Sequence, residues 1–327
     1  MIPLRLVGSE MCIRDSIARY IREEYDFDRR RSIIESDSAC SDDVWRQFSE
    51  LGWLSIPFDE SYGGFGGHAD DLAGVMLELG KGLIIEPYMS TVVVFGSLLN
   101  ASNNDSLKEQ LIPRIINGQY KGSFAYAEEQ SRFEISDVKT YAQKCGDGYK
   151  LNGTKIAVID AKESDCLIVT ARTGGSQYGA EGISLFLVDT SAEGVAVSSY
   201  NTMDSHSSST INLENVFVTE ANLIVDEGEG FRHIESCLPQ ILLCLSAEAL
   251  GIMEVLNRLT VEYSKTRKQF GAPIGSFQAL QHRMVDNFMA FEQSKSMVYR
   301  GICESCLLYT SDAADERSSV DLGGRRI

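Results

Sequence analysis

The apolar residues of this chain change their spacing twice, and those two changes constrain the fold more than any single motif does. Up to about Tyr120 the spacing is helical. Ser41 with Asp42 and Asp43 predicts an N-cap for a helix through Val44, Trp45, Phe48 and Leu51, with Gly52 as its stop. A second helix is expected from Ala69 to about Leu79, a buried apolar helix after Pro87 through Val92, Val93, Val94 and Leu98, and another from Leu107 to Ile116 before Asn117-Gly118. From Gly122 the texture turns to short strands, at 138–144, 149–151, 155–159, 167–171, 183–188 and 195–200. Gly146-Asp147-Gly148 and Asn152-Gly153 predict hairpin turns, because Asp-Gly and Asn-Gly suit positions of positive φ. Helical spacing returns from Glu229 through Ile234, Ile241, Leu245, Leu250 and Leu256. The expected class is α+β, with an N-terminal helical domain over 17–121, a middle β-barrel domain over 122–227 and a C-terminal helical bundle over 228–305.

A chain of 327 residues with 43% hydrophobic content can bury a substantial core. A formal charge of −17 and a pI near 4.7 argue against nucleic acid or an anionic membrane as partner, while a redox partner with a basic docking face remains compatible. The longest apolar stretch, 237–256, is interrupted by Pro239, Gln240, Glu248 and Glu254, so it reads as a buried helix and not as a membrane span. Eight cysteines without regular spacing suit reduced thiols in a cytoplasmic protein. Cys303 and Cys306 form a C-x-x-C, but zinc needs two more ligands and none of His68, His206, His233 and His282 lies near them in sequence, so no metal site is expected.

Between Tyr263 and His282 the chain reads Y-S-K-T-R-K-Q-F-G-A-P-I-G-S-F-Q-A-L-Q-H. A helix ends at Arg267 and Lys268, is punctuated by Gly271, Pro273 and Gly275, and restarts at Ser276 with Phe277, Leu280, Met284 and Phe288 at helical spacing. Arg267 can grip a diphosphate through a planar fork, and Gln269 and Gln278 offer neutral donors and acceptors suited to a nucleotide. On spacing alone a helical hairpin whose charges face water is an equal reading.

This segment resembles the start of the C-terminal domain of acyl-CoA dehydrogenases, in which an R-x-x-F-G turn is followed by F-Q-x-L-Q. The resemblance implies that Arg267, Gln269, Phe270, Phe277 and Gln278 meet the ADP half of FAD in a neighbouring subunit. L-G-W-L-S-I-P-F-D-E-S-Y-G-G-F-G-G at 51–67, L-E-L-G-K-G-L-I-I-E-P-Y at 77–88 and A-E-A-L-G at 247–251 look most like the small subunit of pimeloyl-CoA-type dehydrogenases, which pair unlike subunits.

The reaction so implied is α,β-desaturation of an acyl-CoA. A carboxylate removes the α-proton, the β-hydrogen leaves as hydride to flavin, hydrogen bonds to the thioester oxygen stabilise the enolate-like charge, and electrons pass on to an electron-transfer flavoprotein. Several positions depart from the family pattern. Its T-E-P-G-A-G-S-D loop aligns with residues 127–137, where Glu128 is retained as a cofactor contact, Ser136 as the substrate contact, and Asp137 beside it, while Ala127 replaces the threonine. The W-I-T segment aligns with Ala157-Val158-Ile159, the substrate-side Asp and Arg align with Pro239 and Leu242, and an alternative base position falls on Ile241. Glu248, in an apolar run with Leu245, Ala249 and Leu250, is the remaining candidate base, though a carboxylate so placed is more often paired with a cation on an adjacent helix.

Residues 1–16, ending V-G-S-E-M-C-I-R-D-S, and 306–327 fit no helix or strand period and look like translated sequencing-adaptor read-through. On that expectation the authentic part is 17–305, the bundle is truncated, the base lies beyond it, and the chain is inactive alone. Three readings follow from the resemblance: the small subunit of a heteromer beside a large dehydrogenase subunit, a self-sufficient homo-oligomeric dehydrogenase, or a non-catalytic assembly subunit that completes a partner's FAD site.

Overall fold

The computed structural model describes residues 7–36 and 40–318, with side chains described over 13–36 and 40–305. In chain order come helices α1 (Val7–Glu23), α2 (Phe27–Ile34), α3 (Asp42–Glu50) and α4 (Ala69–Gly82), a π-helix (Tyr88–Phe95), α5 (Gly96–Asn100) and α6 (Asp105–Ile116). Seven strands follow: β1 (Gly122–Ala125), β2 (Tyr141–Cys145), β3 (Gly148–Ile159), β4 (Cys166–Arg172), β5 (Ile183–Asp189), β6 (Val195–Asn201) and β7 (Ser207–Thr219). Then come α7 (Gly230–Thr266), the short strands β8 (Lys268–Gln269) and β9 (Ala272–Pro273), and α8 (Gln278–Ser318).

The chain divides into two compact units: residues 1–23, 68–83 and 242–327 form one, and residues 24–67 and 84–241 form the other. In the first, the L-E-L-G and A-E-A-L-G segments cross. A Cβ on Gly80 would lie 2.2 Å from the Glu248 carbonyl oxygen, and one on Gly251 would lie 2.0 Å from that of Leu77. Two glycines facing two backbones let α4 and α7 touch, which no larger residue would permit. Beside the crossing, Lys81 bridges Glu78 (3.0 Å) and Glu254 (3.3 Å).

In the second unit, Ser41 Oγ accepts the Val44 N–H at 3.4 Å, and Gly52 stops the α3 segment in the left-handed region at φ 77°. The apolar face of α3 buries Trp45 and Phe48 against Trp53, with Phe48 and Trp53 ring centroids 4.8 Å apart. The strands form one connected sheet ordered β1-β4-β2-β3-β7-β6, with β5 antiparallel to β4. Its core is Leu151, Leu167, Val169, Phe186, Val188, Ile211 and Val216.

Several expectations need correction. The segment after Pro87 is not an ordinary α-helix but a π-helix. Its side chains are tied sideways to other elements, Thr91 Oγ1 to the Gly122 carbonyl (3.1 Å) and Ser90 Oγ to Asp160 Oδ2 (2.6 Å), and the wider winding accommodates both ties. The β2–β3 hairpin does turn within Gly146-Asp147-Gly148, at Gly146-Asp147, but only Gly146 takes positive φ. Asn152-Gly153 is not a turn: β3 runs straight through it, and a register shift between Leu151 and Gly153 marks a bulge. Glycine is needed there because a Cβ would fall 2.3 Å from Thr140 Oγ1. Strand β7 was not expected, since Ser207, Ser208 and Ser209 carry no apolar alternation; β3 and β6 pair it on both sides, and all three serines are buried. The ends are helical where described: α1 covers residues 7–16 and α8 continues to Ser318, while 1–6 and 319–327 lie outside the described residues.

Among the described residues α7 is the one helix long and apolar enough to cross a membrane by length and composition. It buries Ile234, Cys237, Leu243, Cys244, Ala247 and Leu250 but exposes Leu242, Leu245, Leu256 and Leu259, so the expected burial holds for one face only.

Candidate active site

The R-x-x-F-G turn is a two-residue hairpin. Lys268 pairs with Pro273 and Gln269 with Ala272, so Phe270 and Gly271 take the turn positions, at φ 54° and 80°. Positive φ at both is the signature of a type I′ turn. Glycine adopts it freely and phenylalanine does not. The Ile274 N–H closes the turn onto the Arg267 carbonyl (2.9 Å), and Gly275 is required where a Cβ would lie 2.9 Å from Ser264 Oγ. Gln281 Nε2 then ties the first turn of α8 to the preceding loop by donating to the Gly275 carbonyl (2.8 Å). Arg267, Gln269, Phe270, Phe277 and Gln278 are all exposed, Phe270 at 94%, with the Phe270 and Phe277 rings edge-on at 6.2 Å. Among the described residues no carboxylate lies within ion-pair distance of Arg267. An uncommitted guanidinium, two amides and two aromatic rings therefore share one exposed turn.

The 127–137 loop is organised differently. Glu128 is buried, and four donors surround its carboxylate: Lys155 Nζ (2.7 Å) and the Thr140 N–H (3.0 Å) on Oε1, and the Lys139 N–H (2.8 Å) and Gln130 Nε2 (2.9 Å) on Oε2. Burial opposes the charge, but Lys155 and these hydrogen bonds outweigh it and hold the carboxyl at about 2. Lys155 is fully enclosed, also donates to Thr170 Oγ1 (2.7 Å), and is drawn down to about 8 by burial, partly offset by Glu128. The Glu128 carboxylate is thus committed inside the protein.

The loop's serines are also committed. Ser131 Oγ accepts the Glu128 N–H (3.0 Å) and donates to the Glu128 carbonyl (2.9 Å). Ser136 Oγ donates to Glu134 Oε1 (2.8 Å). Successive turns from Glu128 to Ser131, Ser131 to Glu134 and Glu134 to Asp137 wind the loop on itself and leave Phe133 fully exposed. Beside it lies a groove of about 420 Å³ lined by Glu128, Thr140, Tyr141, Asn152, Thr154 and Ile156. Ala157 sits at a bulge with φ 52°, and neither it nor the half-exposed Ile159 brings a hydroxyl.

On α7, Ile241 is half-buried and Pro239 and Leu242 are exposed. Glu248 is half-buried, and Cys244, pushed up to about 12, feels burial first and then the Glu248 charge. Among the described residues no group of three or more His, Cys, Asp or Glu side chains could hold a metal.

Sequence reasoning missed Lys155, Thr170 and Arg172. A signal for Lys155 existed: it lies four residues after Leu151, on the inward face of an alternating strand, where a charge demands a partner.

Three family profiles match the chain: the N-terminal domain of acyl-CoA dehydrogenases over residues 9–119, the middle domain over 123–216 and the C-terminal domain over 228–304. The chain belongs to the acyl-CoA dehydrogenase family. A probable acyl-CoA dehydrogenase of Bacillus subtilis, YngJ, is 33% identical over 262 residues, covering 79% of this chain and 69% of the relative. The short-chain-specific acyl-CoA dehydrogenase of Megasphaera elsdenii is 31% identical over 264 residues, covering 78% and 68%. The solved FAD complex of PigA superposes with a TM-score of 0.82 at 26% identity, covering 91% of this chain and 79% of that one. The family makes this chain an oxidoreductase acting on acyl-CoA, and the expected helical, β and helical domain types are those of its fold.

Proposed function

We propose that this chain is the small subunit of a heteromeric, FAD-dependent acyl-CoA dehydrogenase, and that it lends its Arg267 turn to the flavin held mainly by a larger partner. FAD makes different demands at its two ends. At the ADP end the residues fit: Arg267 is exposed and faces no carboxylate among the described residues, so its fork is free for a diphosphate, with Gln269 and Gln278 as amide donors and Phe270 and Phe277 as flat contacts. At the ring end they do not. Ala127, Ala157 and Ile159 stand where the family places side chains around the flavin ring, and the Ser131 hydroxyl is spent on the Glu128 backbone.

That asymmetry between a free turn and a self-satisfied loop carries the reading. When bound, the flavin supplies the hydride acceptor for desaturation of a medium or long acyl thioester, with electrons leaving to an electron-transfer flavoprotein. In this chain Arg267 holds the diphosphate charge and Glu128 fixes the loop that bears Ser136, the aligned substrate contact. No carboxylate stands at Ile241, so the base is assigned to the partner. The main rival is a homo-oligomer that works without a partner, and Glu248 is then the base to consider.

The test is to purify the chain with FAD, alone and co-expressed with a candidate large dehydrogenase subunit from the same genome, and to titrate each anaerobically with acyl-CoA. Flavin bleaching is expected only in the pair, with one FAD for two unlike chains. An isolated chain that holds stoichiometric FAD and bleaches with substrate overturns the partner reading in favour of the homo-oligomer.

A further inference from the structure

We propose that Arg172 is a positioning residue, whose single guanidinium clasps the loop carrying Ser136 to the loop joining β4 and β5 and so makes one rigid wall of the acyl-CoA site. In naming acyl-CoA the proposal rests on the function proposed above, whereas the clasp stands on its own geometry.

Arg172 ends β4, and its guanidinium faces six backbone carbonyls. Nε donates to Val138 (3.2 Å); the two hydrogens of Nη2 are shared among Ser136 (2.8 Å), Gln177 (2.9 Å) and Gly179 (3.0 Å); Nη1 donates to Glu181 (3.0 Å) and, at 3.5 Å, to Gly174, so five N–H groups serve six carbonyls. Among the described residues no carboxylate lies within ion-pair distance. An arginine recruited for a buried charge pair would meet a carboxylate in its fork. This one organises main chain, and the carbonyls belong to two segments far apart in sequence. Two further ties join the same segments: Gln177 Nε2 to Asp137 Oδ1 (2.7 Å) and the Val138 N–H to the Gln177 carbonyl (3.2 Å).

The β4–β5 loop needs such a clasp. Gly174, Gly175, Gly179 and Gly182 give it few side chains to pack, and Gly175 and Gly182 stand at φ 74° and 80°. The sheet does not need it, because β4 is already paired along its length to β5. What the clasp adds is the relative position of two loops, one of them holding Ser136 by its own carbonyl. Lysine cannot replace the hub, since an ammonium has three donors at one point and no planar fork to span six acceptors.

The experiment uses Arg172→Lys and Arg172→Met in the assembled enzyme, with three readouts: hydrogen exchange of amides 134–138 and 173–182, thermal midpoint, and steady-state kinetics with acyl-CoA. Faster exchange in both loops is expected, with a KM for acyl-CoA raised by about tenfold or more at a kcat within about twofold of the parent, the pattern of lost ground-state positioning. If Arg172→Met does not fold, Arg172→Lys, which keeps the stem and charge, decides. Unchanged exchange overturns the clasp. Faster exchange with an unchanged KM overturns the role at the substrate wall, as does a fall in kcat alone. A parent assembly that neither binds nor oxidises acyl-CoA refutes the proposed function instead, and the exchange readout still judges the clasp.

Discussion

The buried Glu128–Lys155 pair yields a prediction whose size follows from the structure. Replacing Glu128 by Gln keeps the shape and some hydrogen bonds but leaves the enclosed Lys155 ammonium without its counter-charge. The carboxyl is held at about 2 against an ordinary 4.5, and a shift of that size corresponds to about 3 kcal/mol at neutral pH. Breaking a buried pair on one side costs roughly 3 to 5 kcal/mol by a separate route. The loss has a ceiling, because Lys155 can instead shed its proton, which at pH 7 costs about 5 kcal/mol from an ordinary lysine. A loss of about 3 to 5 kcal/mol is therefore expected in urea unfolding at pH 7. Because the folded pKa is depressed, this stability is fully present above about 4.5 and is lost as pH falls through about 2. The gap between parent and variant should accordingly hold from pH 7 to 5 and close below that. Adding Lys155→Met should restore most of the loss, since removing both charges leaves neither unpaired. A gap under about 1 kcal/mol at pH 7, or one that ignores acid down to pH 3, would refute the reasoning. A variant of parental stability that had lost its flavin would instead make Glu128 a direct cofactor contact.

Two further outcomes are expected. Arg267→Ala in the assembled enzyme should weaken FAD retention by about 1.5 to 3 kcal/mol, read as flavin content after gel filtration, with no change in the thermal midpoint of the FAD-free assembly; unchanged affinity assigns Arg267 to the solvent. Glu248→Gln should change stability more than turnover; a loss of turnover by orders of magnitude with normal folding and flavin content makes Glu248 catalytic.

What could be read from the sequence was whatever local spacing determines. The caps at Ser41 and Gly52, the two changes of texture and the glycine-punctuated turn at 263–282 are each set by residues a few positions apart. Pairing across the chain was not legible. Asn152-Gly153 is a turn signal locally, yet Thr140 from another strand needs the space a side chain would fill, so the glycine serves a bulge. The serines of β7 become a strand because two neighbours claim their backbone. Arg172 reads as the polar end of an apolar strand, and nothing nearby in sequence announces six carbonyls from two other segments. Glu128 is read as a cofactor contact from alignment alone, and its partner Lys155 lies 27 residues on, which alignment to a motif does not weigh.

The physical cost of each matching residue decides how much its match to the family pattern says about function. Glu128 cannot be lost singly without stranding Lys155, so its presence is explained by folding alone. Hydroxyls around a flavin ring carry no such penalty: alanine at 127 or 157 leaves nothing buried and unpaired. The Arg267 turn is the opposite of Glu128. It faces water, Arg267 has no ion-pair partner among the described residues, and Phe270 stands at φ 54° with its ring 94% exposed. A left-handed conformation in a residue with a bulky side chain costs roughly 1 to 2 kcal/mol, and an exposed ring returns almost none of it. Folding gives no reason to keep such a residue there, whereas a nucleotide or neighbouring chain that buries the ring does, and that is why the reading rests on Arg267 and Phe270 and not on the better-ordered Glu128.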